Sequence, residues 1–261
     1  MREDLTKDLL PQHGEAIDPV AMARRDLVRH LPARFFKDVT VVERDGAFAL
    51  TLDGKGARTP GRNALALPTR AAAEAVAAEW AALDKVIDPS LMPLTRLVNS
   101  AIDGVAREAG AVRDEIVKYA GSDLLCYRAA EPDALVRAQA EKWDPALDWA
   151  REELGARFIL SEGVMFVTQP QAALDAIRLA VDTVAAPFRL AALSSMTTLM
   201  GSAVLALAVA RGHLTPQEAW NAAHVDEDFQ MRAWGADDEA LARRARRWRD
   251  METAATLLAL S

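Results

Sequence analysis

The 261-residue sequence holds a single cysteine, Cys126. One thiol excludes an intrachain disulfide, and with neither a C-x-x-C pair nor a Cys/His cluster it excludes a structural zinc site as well. A reducing compartment is the expected setting. Cys126 lies in the apolar run LLCY with no histidine near it in sequence, which describes a buried, inert thiol. There are four histidines: His13 and His30 fall in a polar lead-in, His213 at a helix end where an imidazolium would favour the dipole, and His224 in an acidic segment. None has the spacing of a catalytic dyad. Neither a G-x-S-x-G elbow nor a G-x-G-x-x-G fingerprint occurs. Gly54-Lys55-Gly56 lacks the upstream glycine, the following Ser or Thr and the helix of a phosphate loop, so it reads as a hairpin turn. Gly121-Ser122-Asp123 reads as a helix stop and a cap, not as a nucleophile site.

Positive charge is in deficit too, with 31 Lys and Arg against 38 Asp and Glu and a formal net charge of -7. That balance favours solubility and works against phosphate backbones, so no nucleic-acid partner is expected. The first thirty residues carry Glu3, Asp4, Asp8, Glu15, Asp18 and Asp26 and no apolar run, unlike a secretory signal or an acid-poor transit peptide. With Met1 intact, the expected place is a bacterial cytoplasm, or a mitochondrial matrix only for a processed eukaryotic protein. One uncharged run approaches bilayer length, the 21 residues from Leu190 to Ala210. Ser194, Ser195, Thr197, Thr198 and Ser202 interrupt it, and a buried core helix is expected over membrane contact.

What is present is an ordinary globular composition, 51% hydrophobic and 26% charged, in a chain long enough for one large or two ordinary domains. Between Lys37 and Pro60 the pattern is strand-like. VTVVE and AFALTL flank Arg44-Asp45-Gly46, and Asp53-Gly54 follows; Asp-Gly pairs supply the positive φ of tight hairpin turns. From Thr69 helices dominate. Thr69 is placed to cap a helix that carries Val76, Trp80 and Leu83 on one face, with Glu74 and Glu79 pointing elsewhere. Pro93 opens a second helix and a third covers Ala111 to Tyr119. Past Glu131 a longer one aligns Val136, Trp143, Leu147, Ala150 and Leu154 before Gly155. Two extended pieces are expected from Arg157 to Thr168, then helices at Pro170 and Pro187. Thr215-Pro216-Gln217-Glu218 predicts a capping box opening a helix that runs to about Trp234, and a last helix carries Leu241, Ala245 and Trp248. The expected class is α+β: a loose lead-in over 1–30, a β-rich domain over 31–130 built as a meander with packed helices, and a mainly helical bundle over 131–261.

The most informative polar segment is HVDEDFQMRAWG, His224 to Gly235. Asp226, Glu227 and Asp228 fan over about 200° of a helix, so one should turn toward its apolar side or border. His224 lies one turn before Glu227 and Asp228. A solvated acidic face paired with Arg232 and a partner-binding or site-organising carboxylate both fit. Metal binding does not, for want of a second Glu-x-x-His. The basic run at 242–250 has acids around it and reads as a solvated helix, one that borders a protein interface in the partner-binding reading.

Six segments in order, RFFKDVTV (34–41), LDGKGARTPGRNALALPT (52–69), IDPSLMPLTRLVNSAIDGV (87–105), YAGSDLLCYRA (119–129), WDPALDWA (143–150) and HVDEDFQMRAWG (224–235), resemble the F(1)-ATPase assembly chaperones that bind the α subunit. The resemblance covers residues 33 to 261. Phe229 stands where tryptophan is common in that family. The resemblance implies a β-rich domain followed by a helical one, no catalysis, and a chain that shields the unassembled ATP synthase α subunit until the β subunit replaces it; a monomer without a cofactor is expected. It also implies a functional carboxylate at Glu227, with Asp226 and Asp228 as neighbouring candidates and His224 and Trp234 completing the partner-binding segment. The competing reading from the residues is a small-molecule enzyme with an inter-domain cleft that uses Glu227, His224 and Arg96 or Asp103.

Overall fold

The computed structural model describes residues 31–163, 165–235 and 237–261, so the lead-in expected over 1–30, with His13 and His30, lies outside the described residues. The chain forms two compact units. In the smaller, the described residues 31–35 and 83–88 pair as extended chain. Ala33 bridges Val86, and the N–H groups of Arg34 and Ile87 donate to the carbonyls of Lys85 and Pro32 at 2.9 and 2.8 Å. The larger unit, Phe36–Ala82 with Pro89–Ser261, holds every element described below.

Its sheet begins with strands β1 (Val39–Arg44) and β2 (Ala47–Leu52), paired antiparallel with Val41 opposite Leu50. Asp45 and Gly46 join them at φ 52° and 77°, and Asp53 and Gly54 repeat the device at 48° and 76° before β3 (Lys55–Gly56). Positive φ at both central residues makes a turn whose twist matches the strands. The expected meander is therefore present, with a fourth strand, β4 (Ala66–Leu67), added against β2. Helix α1 (Arg70–Ala81) packs over β1 and β2, and Thr69 caps it by accepting from the Ala72 N–H at 3.2 Å.

Glu79 does not point away as expected. Its carboxylate accepts from the N–H groups of Leu94 and Thr95 at 2.8 and 2.7 Å, supplying the cap that α2 (Pro93–Ser100) lacks locally. A π-helical turn, Ala101–Val105, carries the chain past Asp103-Gly104 into α3 (Ala106–Ala120), so the helix expected at 111–119 starts earlier and continues from α2. Strand β5 (Tyr127–Arg128) pairs in parallel with β6 (Ser161–Glu162). Between them run α4 (Asp133–Trp149) and a second π-helical turn, Ala150–Leu154, stopped by Gly155 at φ 74°. Only one of the two extended pieces expected after Arg157 is a strand. The Gln169 side chain takes both backbone groups of Ile159, at 2.8 and 2.9 Å, and stands in for a neighbouring strand.

Helix α5 (Gln171–Asp182) precedes α6 (Phe188–Met200) and α7 (Ala203–Ala210). The apolar stretch expected as one helix is thus two. Gly201 at φ 66° ends α6, and the Ser202 hydroxyl accepts from the Leu205 N–H at 3.1 Å to start α7. Residues 203–209 are all buried, and no helix among the described residues is long and apolar enough to cross a membrane.

The capping box forms at Thr215 and Glu218 and opens α8 (Pro216–Ala223). That helix does not continue to Trp234. The His224 ring interrupts it: its Nδ1–H donates to the Trp220 carbonyl at 2.8 Å, the acceptor that a continuous helix would offer the His224 N–H, and that N–H turns instead to the Asn221 carbonyl at 3.3 Å. The chain restarts as α9 (Val225–Trp234) and ends at Gly235. The last helix, α10 (Asp238–Leu260), buries Met251, Ala254, Leu257 and Leu258 and packs along α6 and α2.

Candidate functional site

Helix α9 concentrates three acids in its first turn, where the positive end of the helix dipole favours them. They fan out as the 100° step requires, and each meets a different environment. Asp226 turns inward and accepts from Gln139 Nε2 at 2.7 Å. Gln139 is buried on α4, and its Oε1 accepts from the Ala129 N–H at 2.8 Å, so one amide ties the end of β5 to α4 and α9. Asp228 pairs with Arg244 of α10. The pairing expected with Arg232 is not formed, because α10 brings a half-buried guanidinium to the acid from outside the helix. Glu227 is left pointing outward, its side chain 55% exposed.

Behind the acids lies an aromatic support. Trp143 is fully buried and donates from Nε1 to the Ala222 carbonyl at 2.7 Å. The Trp220 ring lies 3.9 Å from the His224 ring and 5.4 Å from that of Trp248. Since a carbonyl only accepts, His224 Nδ1 carries the proton, and in the neutral ring the bare Nε2 faces Glu227 Oε2 at 4.0 Å. Burial holds His224 below its ordinary pKa, as do the charges of Arg244 and Arg247, against the upward pull of the Trp220 carbonyl and Glu227. A neutral His224 gives Glu227 no hydrogen bond, so this carboxylate stays available to another surface. Trp234, at the far end of α9, is 83% exposed.

The other segments singled out in the sequence serve to hold this frame. Asp123, fully buried, accepts from the N–H groups of Leu125 at 3.2 Å and of Val204 at 3.1 Å, so it starts both a short 3-10 turn and helix α7. Burial raises its pKa to about 6 despite hydrogen bonds from Ser202, Val204, Leu125 and Ala203. Burial, with the Asp123 charge, pushes the Cys126 thiol up to about 12, as expected of an inert thiol. Asp103 accepts from Thr59 Oγ1 at 2.6 Å, Asn63 Nδ2 at 2.8 Å and the Gly61 N–H at 2.8 Å, pinning the loop Thr59–Asn63 to the π-helical turn. Those bonds, the Thr59 hydroxyl first, hold its pKa below the usual carboxylate range. Arg96 pairs with Asp250 at 3.3 Å in a groove between α2, α6 and α10 that contains none of Asp103, His224 or Glu227. The four groups named for an enzyme cleft are not gathered into that groove. Among the described residues no three His, Cys, Asp or Glu side chains are arranged to hold a metal ion.

Sequence reasoning missed Gln139, Glu79 and Arg244. Gln139 did carry a signal, since it stands three residues after Val136 and four before Trp143 on the apolar stripe of α4, a polar side chain where a core residue belongs.

Comparison with known proteins sets the class. The sequence model of the ATP12 chaperone protein family matches residues 33–151. The Atu1473 protein from Agrobacterium tumefaciens has a solved structure that superposes with a TM-score of 0.86 at 49% identity, over 94% of this chain and 92% of that one. Atp12 from Paracoccus denitrificans superposes at 0.83 with 44% identity, over 88% of this chain and 98% of that one. A point mutant of the same Paracoccus protein gives 0.83 and 44%, over 88% and 97%. The class is that of a chaperone. Because the match runs nearly the whole length of the relatives at this identity, the chain belongs to the ATP12 chaperone family, and with it to the chaperones of ATP synthase assembly.

Proposed function

We propose that this chaperone binds the unassembled α subunit of the ATP synthase catalytic head, prevents its aggregation, and gives way when the β subunit replaces it. Its action is capture and release without turnover of a small molecule. The observation that carries this reading is the split among the acids of α9. Two are tied inward by Gln139 and Arg244, while Glu227 faces outward on a helix whose exposed end is Trp234. An isolated subunit of a ring exposes an interface that seeks wrong partners, and a non-closing contact of that kind leads to aggregates. Covering it takes a standard interface of about 1,600 Å², and an acid at its rim contributes orientation and association rate more than affinity. Asp226, Asp228 and His224 organise α9 from behind. The chaperone is proposed to work as a monomer in the bacterial cytoplasm.

The test is a capture assay with purified α subunit in the absence of ATP, read as co-elution on size exclusion and as suppressed light scattering. The wild-type chain is expected to do both in a one-to-one complex. Glu227→Gln is expected to slow association by about tenfold at low salt. Failure of the wild-type chain to retain the α subunit ends the proposal, and so does saturable turnover of a small compound abolished at Glu227.

A further inference from the structure

Helix α9 and the start of α10 enclose a groove of about 280 Å³ lined by Glu227, Met231, Trp234, Arg243, Arg244 and Arg247, among others. We propose that this groove reads the client by taking a short segment that carries an apolar side chain beside a single carboxylate. The inference rests on the client-binding role proposed above for α9 and assigns the contact to particular groups.

The apolar half of the site is Trp234. It is the most exposed large hydrophobic side chain among the described residues, at 83%. Its presentation is built in. The Gly235 N–H donates to the Met231 carbonyl at 2.9 Å, and Gly235 then turns at φ 89° and ψ 163°, a conformation essentially reserved for glycine. The chain leaves sharply after the indole, with Met231 half-buried one turn behind it. Large rigid aromatics of this kind are the usual anchors of protein interfaces.

The charged half is Arg243. Of the three arginines on the groove, Arg244 is committed to Asp228. Arg247 donates to the Leu199 carbonyl and lies over the Trp220 ring at 5.9 Å. Arg243 is exposed and makes no hydrogen bond or ion pair among the described residues. A guanidinium fork matches one carboxylate in a bidentate pair. A polyanion is disfavoured, because it needs several free cations and this rim also carries Glu227 and Asp237. Asp237 is itself committed to the α10 N-terminus, accepting from the Ala240 N–H at 3.1 Å. Glu227, about two turns before Trp234, stands at the other end of the groove, where it attracts a basic part of the client and keeps the client carboxylate at Arg243, and so fixes the segment's direction.

The experiment titrates full-length wild-type, Trp234→Ala, Arg243→Glu and Phe166→Ala chains with purified ATP synthase α subunit, by calorimetry at low and high salt. Phe166 is the control, an apolar residue that is 69% exposed and does not line the groove. Trp234→Ala is expected to weaken binding at least tenfold at both salts. Arg243→Glu is expected to weaken it tenfold at low salt and to flatten the salt dependence, while Phe166→Ala stays within twofold. Unchanged circular dichroism and melting temperature establish that the variants fold, as expected at exposed positions. A wild-type chain that does not bind the α subunit sinks the client assignment. A wild-type chain that binds, with either groove variant within twofold of it, leaves that assignment standing and overturns the groove.

Discussion

Replacing Asp123 with asparagine should change how stability depends on pH in a direction opposite to most carboxylate substitutions. Buried carboxylates that cap helices commonly have depressed pKa values, because N–H donors favour the charged form. Here burial wins over four hydrogen bonds and raises the group to about 6. The sign follows by linkage. Between the ordinary 3.8 and about 6 the native chain holds a proton that the unfolded chain has released, so this group makes stability fall as pH rises through that window. Above it the loss is constant. The interval corresponds to about 3 kcal/mol. Asparagine cannot ionise, but its amide nitrogen stands where a carboxyl oxygen accepts the Leu125 or the Val204 N–H, so Asp123→Asn should be less stable than wild type by about 1–3 kcal/mol near pH 4. That deficit should shrink by about 3 kcal/mol by pH 8, where wild type has lost the advantage of the protonated acid. Urea unfolding at half-unit intervals from pH 4 to 8 measures the difference directly, and other titrating groups cancel between the two proteins. A difference that stays flat across the window, or that moves against the variant as pH rises, refutes the reasoning.

Three further outcomes follow from the network. Gln139→Ala leaves the half-buried Ala129 N–H and Asp226 carboxylate without this partner and should cost about 1–3 kcal/mol in urea unfolding, a loss below about 0.5 kcal/mol contradicting its tie role. Asp103→Asn should speed hydrogen exchange at Gly61 and Asn63 at neutral pH. Because the Asp103 pKa is depressed in the fold, its stabilisation is present above the ordinary value and lost as pH falls through the folded one. The gap in exchange should therefore close in acid, and an unaltered exchange rate at pH 7 would count against the pinning. Gly235→Ala forces a Cβ into a backbone region essentially reserved for glycine, at an expected cost of about 1–3 kcal/mol, seen as a lowered melting temperature.

Local chemistry was legible in the sequence wherever the cause and its effect lie within a few residues. The two Asp-Gly turns, the Thr69 cap, the Thr215–Glu218 box and the Gly155 stop each act on their own neighbours, and each is where the pattern placed it. The fan of Asp226, Glu227 and Asp228 followed from helix geometry alone. Their partners did not, since Gln139 and Arg244 reach them from 87 and 16 residues away. The break at His224 was hidden for another reason. HVDEDF has good helix formers on both sides, and only the side chain's capture of the Trp220 carbonyl interrupts the ladder. Glu79 was misjudged because its role is to cap a helix 15 residues further on.

The bond from Asp123 to the Val204 amide has a consequence for the order of events at the ribosome. The two residues are 81 positions apart, so the acid leaves the exit tunnel long before its N–H donor exists. Vectorial folding from the amino end is the general tendency of growing chains. Here the early half cannot close around Asp123 until α7 has been synthesised, and a nascent chain stalled ahead of Ser202 would keep that carboxylate in water and its surrounding core open.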